Sequence, residues 1–220
     1  MIVDTLIEKE FFSLSSTLTF KEAYKIFKKS KLNELPIVDD SIFKGILFVD
    51  QIKGNEKSDD PVSLLQDQFR SIFVEEDERM IVALKKMTNE GISSIPVIDD
   101  EGNMLGLVLS SHLWSEFAEK SGLMGTGAWI VVSMKKNDYH LSEIAQIAES
   151  SGMIIVMHFV HFFQGVDLID VHLKFDHENV IGLVQSLQRY KYNVTDVIQP
   201  KKYSDNWEDK FDELMRFFST

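Results

Sequence analysis

The chain has 220 residues, 44% of them hydrophobic, enough for one large domain or two smaller ones. Its formal net charge of −12 argues against nucleic acid or an anionic membrane as a main partner, because both need a basic face. There is no cysteine, which excludes disulfides, thiolate nucleophiles and Cys-ligated metals.

Residues 1–10 carry Asp4, Glu8 and Glu10 and no long apolar core, so they do not read as a signal peptide. No stretch approaches the roughly 20 apolar residues of a membrane span. The expectation is a soluble, cytoplasmic protein.

In chain order, residues 11–14 read as a short strand. Thr19-Phe20-Lys21-Glu22 is a capping box opening a helix that runs to about Leu32, with Ala23, Ile26 and Phe27 inward. Lys21, Lys25, Lys28 and Lys29 form its solvated face. Leu35-Pro36-Ile37-Val38-Asp39-Asp40, then Gly45-Ile46-Leu47, reads as a buried hairpin: proline at a strand start, aspartates at a turn, an apolar return strand. A short helical turn follows near Gln51, and the breaker-rich residues 54–61 read as a linker.

The pattern then repeats. Residues 72–74 predict a strand, Asp77 the cap of a helix over about 78–89, and Gly91 its stop. Ile95-Pro96-Val97-Ile98-Asp99-Asp100, then Gly106-Leu107-Val108, is a second hairpin, and Ser110 or Ser111 caps a helix carrying Leu113, Trp114 and Phe117. Pro36 and Pro96 are sixty residues apart, and at that offset Phe12 meets Ile72, Leu14 meets Val74, Ala23 meets Ala83 and Phe27 meets Met87. Such a repeat means two similar units, each too small to bury its own apolar face, that pack on each other.

This order, with proline, apolar pair, aspartates and glycine at its centre, resembles the CBS domain in tandem, a Bateman module, over about residues 1–120. The resemblance implies a pseudo-twofold pair whose clefts bind AMP, ATP or S-adenosylmethionine and regulate an attached or partner protein. The family's ligand signature is Gly, two apolar residues, Thr or Ser, two variable residues, then Asp. Here Phe48 and Gln51 stand in the Thr and Asp places of repeat one, with Asp50 one residue early. Leu109 and His112 stand there in repeat two, beside Ser110 and Ser111. The cleft candidates are therefore Asp50, Gln51, Ser110, Ser111 and His112, in clefts that have lost their usual anchors.

Residues 121–128 are glycine-rich and read as the domain boundary. Residues 129–134 are an apolar run of strand length. Leu141, Ile144, Ala145, Ile147 and Ala148 lie at helical spacing, and Ser151-Gly152 stops that helix. A strand over 154–162, a turn at Gln164-Gly165, an alternating strand over 167–175, a helix over about 179–190 and a strand over 193–198 complete a β-α-β-β-α-β order. This segment resembles the ACT domain, which binds amino acids at its first strand-to-helix turn, commonly as a dimer. The residues at that turn are Asn137, Asp138, Tyr139 and His140, without the family's glycine.

His158, His161, His172 and His177 read as scattered surface histidines. The first two, three apart on a strand, point to opposite faces. Phe159, Phe162 and Phe163 fit either a dimer seam or an ordinary core. Beyond Pro200, residues 205–218 predict an amphipathic helix docked on its own chain or on a second subunit.

The expected fold class is α+β: repeat one at 1–58, repeat two at 59–120, a linker at 121–128, a ferredoxin-like βαββαβ domain at 129–198 and a terminal helix at 199–220. The combination resembles acetoin-utilisation-like proteins. No catalytic constellation and no metal cluster is expected. Two readings stay open: a homodimeric, non-enzymatic regulator sensing an adenosyl nucleotide or an amino acid, and an interaction scaffold whose ligand sites have decayed.

Overall fold

A computed structural model describes residues 2–200; the expected terminal helix lies outside the described residues from Lys201 onward. The chain divides into two compact units, Met1–Phe117 and Ala118–Thr220.

In the first unit, α1 (Phe20–Ser30) opens on the expected capping box. The Glu22 N–H donates to Thr19 Oγ1, and the Thr19 N–H donates to Glu22 Oε2. The helix stops at Ser30, short of Leu32, because Lys31 turns left-handed at φ 59°. β1 (Glu34–Asp39) and β2 (Ile42–Phe48) form the first hairpin, turned by Asp40 and Ser41, both at positive φ as a two-residue hairpin loop demands.

The second repeat follows the same plan. β3 (Val74–Glu75) runs parallel to β4 (Ser94–Ile98), which pairs antiparallel with β5 (Met104–Leu109). Between them lies α2 (Met80–Glu90), ended by Gly91 at φ 66°. α3 (Ser110–Lys120) closes the repeat, with Ser110 as its first helical residue. Two expectations need correction. Asp77 caps nothing: α2 starts at Met80, and Arg79 holds the capping position without a side-chain bond. The strand expected over 11–14 shrinks to one bridge, Leu14 with Ile37.

The duplication is visible in the hydrogen-bond register. Leu14 pairs parallel with Ile37, and sixty residues on Val74 pairs parallel with Val97. Both hairpins carry a bulge at the equivalent step, Ile37/Val38 and Val97/Ile98.

The repeats also exchange segments. The N-terminus crosses to repeat two, where Glu8 and Leu107 trade backbone bonds of 2.8 and 3.1 Å and Val3 is fully buried in that core. Residues after the first hairpin stay with repeat one: Arg70 and Ile46 trade bonds of 2.8 and 3.0 Å, and Val62 is fully buried beside Leu14, Leu35 and Leu47. Burying each valine contributes about 1.5–2 kcal/mol, enough to fix the crossing.

The exchange explains the two motif glycines. A Cβ on Gly45 would lie 2.8 Å from the Phe69 Cβ, and one on Gly106 would lie 2.4 Å from the Glu8 carbonyl oxygen. Backbone passes directly over both.

In the second unit, β6 (Trp129–Met134), β7 (Ile155–Phe162), β8 (Ile169–Phe175) and β9 (Asn193–Ile198) form one antiparallel sheet in the order β7-β8-β6-β9. With α4 (Leu141–Ser150) and α5 (Ile181–Arg189) this is the split βαββαβ fold. Ile130, Val132, Val171, Leu173 and Phe175 alternate onto the core face, packing with Ile144, Leu183 and Leu187.

The segment expected to be a bare linker is built into this unit. Lys174 lies on a solvent-type position of an alternating strand yet is 2% exposed. Its ammonium donates to the carbonyls of Gly122 (2.8 Å), Leu123 (2.6 Å) and Gly125 (2.6 Å), satisfying all three of its donors.

Candidate functional site: two unequal clefts

Each repeat presents its signature positions where its second hairpin strand ends. The two ends face different fates. In repeat one, Phe48 is the last residue of β2, and its ring lies 5.1 Å beneath the Arg70 guanidinium, which in turn is ion-paired with Glu90. Gln51, in the place of the ribose-binding Asp, is consumed by its own chain. Its Oε1 accepts the Phe48 N–H at 2.7 Å, and its Nε2 donates to the Gln68 carbonyl at 3.0 Å. Asp50 points away, exposed and paired with Lys53, as expected for a residue one step out of register. Segment exchange thus places residues 68–70 over the signature positions at the end of β2.

Repeat two is bonded differently. Leu109 ends β5, and the Ser110 N–H is tied to the Ser93 carbonyl at 2.9 Å. The Ser110 and Ser111 hydroxyls have no hydrogen-bond partner among the described residues. His112 Nδ1 lies 3.5 Å from Glu8 Oε1, both side chains about two-fifths exposed. The structure therefore gathers Ser110, Ser111 and His112 at one accessible helix start and joins Glu8, which sequence reasoning missed. Glu8 reaches the site only through the exchanged N-terminus, and no local pattern marks that.

The two cleft ends are joined by a buried carboxyl. Glu34, 3% exposed, opens β1 opposite Phe48, and Ser94 opens β4 opposite Leu109. Glu34 Oε1 accepts from the Ser93 and Ser94 N–H groups (2.8 and 2.9 Å) and from both hydroxyls (2.6 and 3.2 Å). Glu34 and Ser94 are sixty residues apart, so the contact links equivalent positions of the two repeats. The hairpin tips also meet, with the Phe43 N–H donating to Gly102 O and the Met104 N–H to Ser41 O.

In the second unit, the turn expected to hold an amino acid is a single 3-10 turn, Lys136–Asp138. Asn137 and Asp138 are exposed and do not start the helix. α4 begins at Leu141 after His140, which makes no side-chain cap. Tyr139 is half-buried against the core, and burial pushes its hydroxyl pKa up. The neighbouring Tyr192 donates to Glu143 at 2.8 Å, and burial followed by that carboxylate raises its pKa further.

The register places His158 opposite Leu173 and His161 opposite Asp170, on opposite faces of the sheet, and both are exposed. His172 stacks on Phe159 at 4.3 Å and His161 on Phe163 at 4.5 Å. No group of three metal-ligating side chains occurs among the described residues. Phe159 and Phe162 on β7 and Phe163 just after it are exposed, which corrects the core alternative for them. No helix among the described residues is long and apolar enough to cross a membrane.

Comparison with known proteins agrees with this geometry. Residues 67–113 match the family described as CBS domain. An uncharacterized protein of Methanocaldococcus jannaschii is 23% identical over 119 residues, 54% of this chain and 45% of that one. The chain spans less than half the length of the curated relatives it matches. A CBS domain pair/ACT domain protein from Thermotoga maritima is 19% identical, with 55% of this chain and 98% of that chain covered at a TM-score of 0.49. A CBS domain pair in complex with 5′-methylthioadenosine and S-adenosyl-L-methionine is 27% identical over 53% of this chain and 99% of that chain, at a TM-score of 0.45. Residues 67–113 carry the CBS match, and the sixty-residue register repeats the same strand and hairpin plan in the residues before them.

Proposed function

We propose that this protein is a non-enzymatic, cytoplasmic regulator that senses an adenosyl metabolite, in the class of AMP, ATP or S-adenosylmethionine, at the cleft of repeat two. The observation that carries this reading is the inequality of the clefts. The Ser110 and Ser111 hydroxyls are unspent and the half-exposed His112 and Glu8 are held only by each other, whereas Gln51 is bonded at both ends to backbone. Hydroxyls and N–H groups at a helix start suit phosphate or carboxylate, and Glu8 suits ribose hydroxyls. The 5′-methylthioadenosine and S-adenosyl-L-methionine held by one similar CBS pair fit this class. The amino-acid alternative, at Asn137, Asp138, Tyr139 and His140, has no comparable support.

A ligand regulates only if it binds one arrangement better than another. Glu34 supplies the coupling, since it joins the start of β4, beneath the repeat-two cleft, to β1 of the other repeat. The protein works as a homodimer through β7, an edge strand with two exposed phenylalanines, Phe159 and Phe162, and a third, Phe163, just beyond its end. A regulated partner protein receives the signal.

The test is thermal unfolding with AMP, ATP, S-adenosylmethionine, 5′-methylthioadenosine and the common amino acids. At a hundredfold excess over Kd, a true ligand adds about 2.7 kcal/mol and raises Tm by several degrees. A shift for an adenosyl compound that disappears in His112→Ala supports the reading. No shift with any compound favours the scaffold alternative, which the self-satisfied cleft of repeat one already suits.

A further inference from the structure

The repeats also differ at the far end of their first helices. A hollow of about 240 Å³ lies between the last turn of α1, the loop after it and Val49. Phe27, Leu32, Val49 and Tyr24 line it together with Asn33. Lys28 and Lys31 stand at the rim, with Lys28 Nζ poised 5.3 Å from the centre of the Tyr24 ring. Neither lysine has a carboxylate at ion-pair distance among the described residues, in a chain of net charge −12. The hollow borders the repeat-one cleft only through Val49; Phe48, Asp50 and Gln51 do not line it.

The twin repeat supplies the control. Sixty residues on, Tyr24 becomes Leu84, Lys28 becomes Thr88 and Lys31 becomes Gly91. Thr88 donates to the Leu84 carbonyl within its own helix, and Ser93, the equivalent of Asn33 at the hollow's edge, is turned inward to Glu34. Gly91 takes the left-handed position at φ 66°, where a residue without Cβ belongs. Lys31 takes the same position at φ 59° despite its side chain, which costs stability. Such a cost persists where the side chain is needed.

We propose that this hollow on repeat one is a binding site for a small organic anion: a phosphate or carboxylate held between Lys28 and Lys31, with a planar apolar body on Phe27, Leu32 and Val49. The site is independent of the adenosyl cleft. Two ammonium groups on an otherwise acidic molecule attract the headgroup, and the Tyr24 ring and apolar lining reward a ligand that carries more than charge.

The probe is phenyl phosphate, titrated into the full chain by calorimetry at low ionic strength. Inorganic phosphate and benzoate run beside it, and amide chemical shifts locate the binding. The expected result is saturable binding of phenyl phosphate, tighter than inorganic phosphate, with shifts centred on Lys31, Leu32 and Asn33. Benzoate reports whether a carboxylate serves as well as a phosphate. Lys28→Ala and Lys31→Gly each weaken binding by about three- to tenfold. Lys31→Gly also raises Tm, so its loss of affinity is not a loss of fold. Absence of saturable binding, equal affinity for inorganic phosphate, or affinity unchanged in both variants overturns the proposal. S-adenosylmethionine binding, tested on the same variants, should be unaffected, which separates this site from the cleft.

Discussion

Repeat one and repeat two share a backbone, down to the same parallel bridge, the same bulge and the same overpassed glycine, yet present different chemistry at every equivalent ligand position. Repeat one fills its cleft with Phe48, Arg70 and Gln51 and places two lysines at its outer hollow. Repeat two leaves hydroxyls free in its cleft and ends its helix with glycine. A duplicated backbone thus carries two different sets of side chains at equivalent positions.

Several substitutions sharpen that contrast. The largest expected effect is common to both repeats. Gly45→Ala and Gly106→Ala each force a Cβ into passing backbone and should cost about 3 kcal/mol or more in urea unfolding. If only one of them destabilises, the crossing segments are not equivalent. Next comes the carboxyl between the repeats. Glu34→Ala strands four donors, two on buried Ser94 and two on exposed Ser93, and should cost about 3 kcal/mol, whereas Ser94→Ala should cost about 1 kcal/mol. Equal costs would mean that Glu34 is not the hub. In the second unit, Lys174→Met removes the ammonium from three carbonyls and should cost about 2 kcal/mol. A neutral result would mean residues 122–125 are not held by it.

Smaller effects separate the helix ends. Lys31→Gly should stabilise by about 1 kcal/mol, and Gly91→Ala should destabilise by a similar amount, because the same left-handed position is filled differently. The smallest effect is at the hairpin tips. Asp99 Oδ1 accepts the Glu101 and Asn103 N–H groups, and Oδ2 accepts the Asn103 amide; the Asn103 side chain first, then its backbone, holds the carboxyl pKa below its ordinary value. A lowered folded value stabilises above the unfolded pKa and is lost as pH falls through the folded one. The carboxyl resonance of Asp99 should therefore titrate below 3.8, with the amides of Glu101 and Asn103 shifting together. A midpoint at or above that value contradicts the bonding.

Much of this was legible locally. The sixty-residue offset, the Thr19 capping box, the stop at Gly91 and the alternation of 169–175 each follow from spacing within a few residues. What escaped is long-range. The crossing of Val3 and Glu8 to repeat two carries no period of its own, so Glu8 was invisible as a neighbour of His112. Lys174 sits at a position of polar alternation and reads as a solvent residue; only the tertiary path of 122–125 shows that it is buried. Asp77 is a good cap by type, but α2 begins three residues later, at Met80, with Arg79 in the capping position. Gln51 and Phe48 marked a damaged cleft by identity. That Gln51 seals it by bonding to the Gln68 carbonyl required the exchanged segment.

The central claim, that the second cleft alone remains open to an adenosyl ligand, is tested most directly by amide chemical shifts of the intact chain during titration with S-adenosylmethionine and AMP. The account predicts saturable shifts confined to Glu8 and residues 107–112, with residues 45–51 unmoved. Shifts centred on 45–51, or none with either ligand, would contradict it.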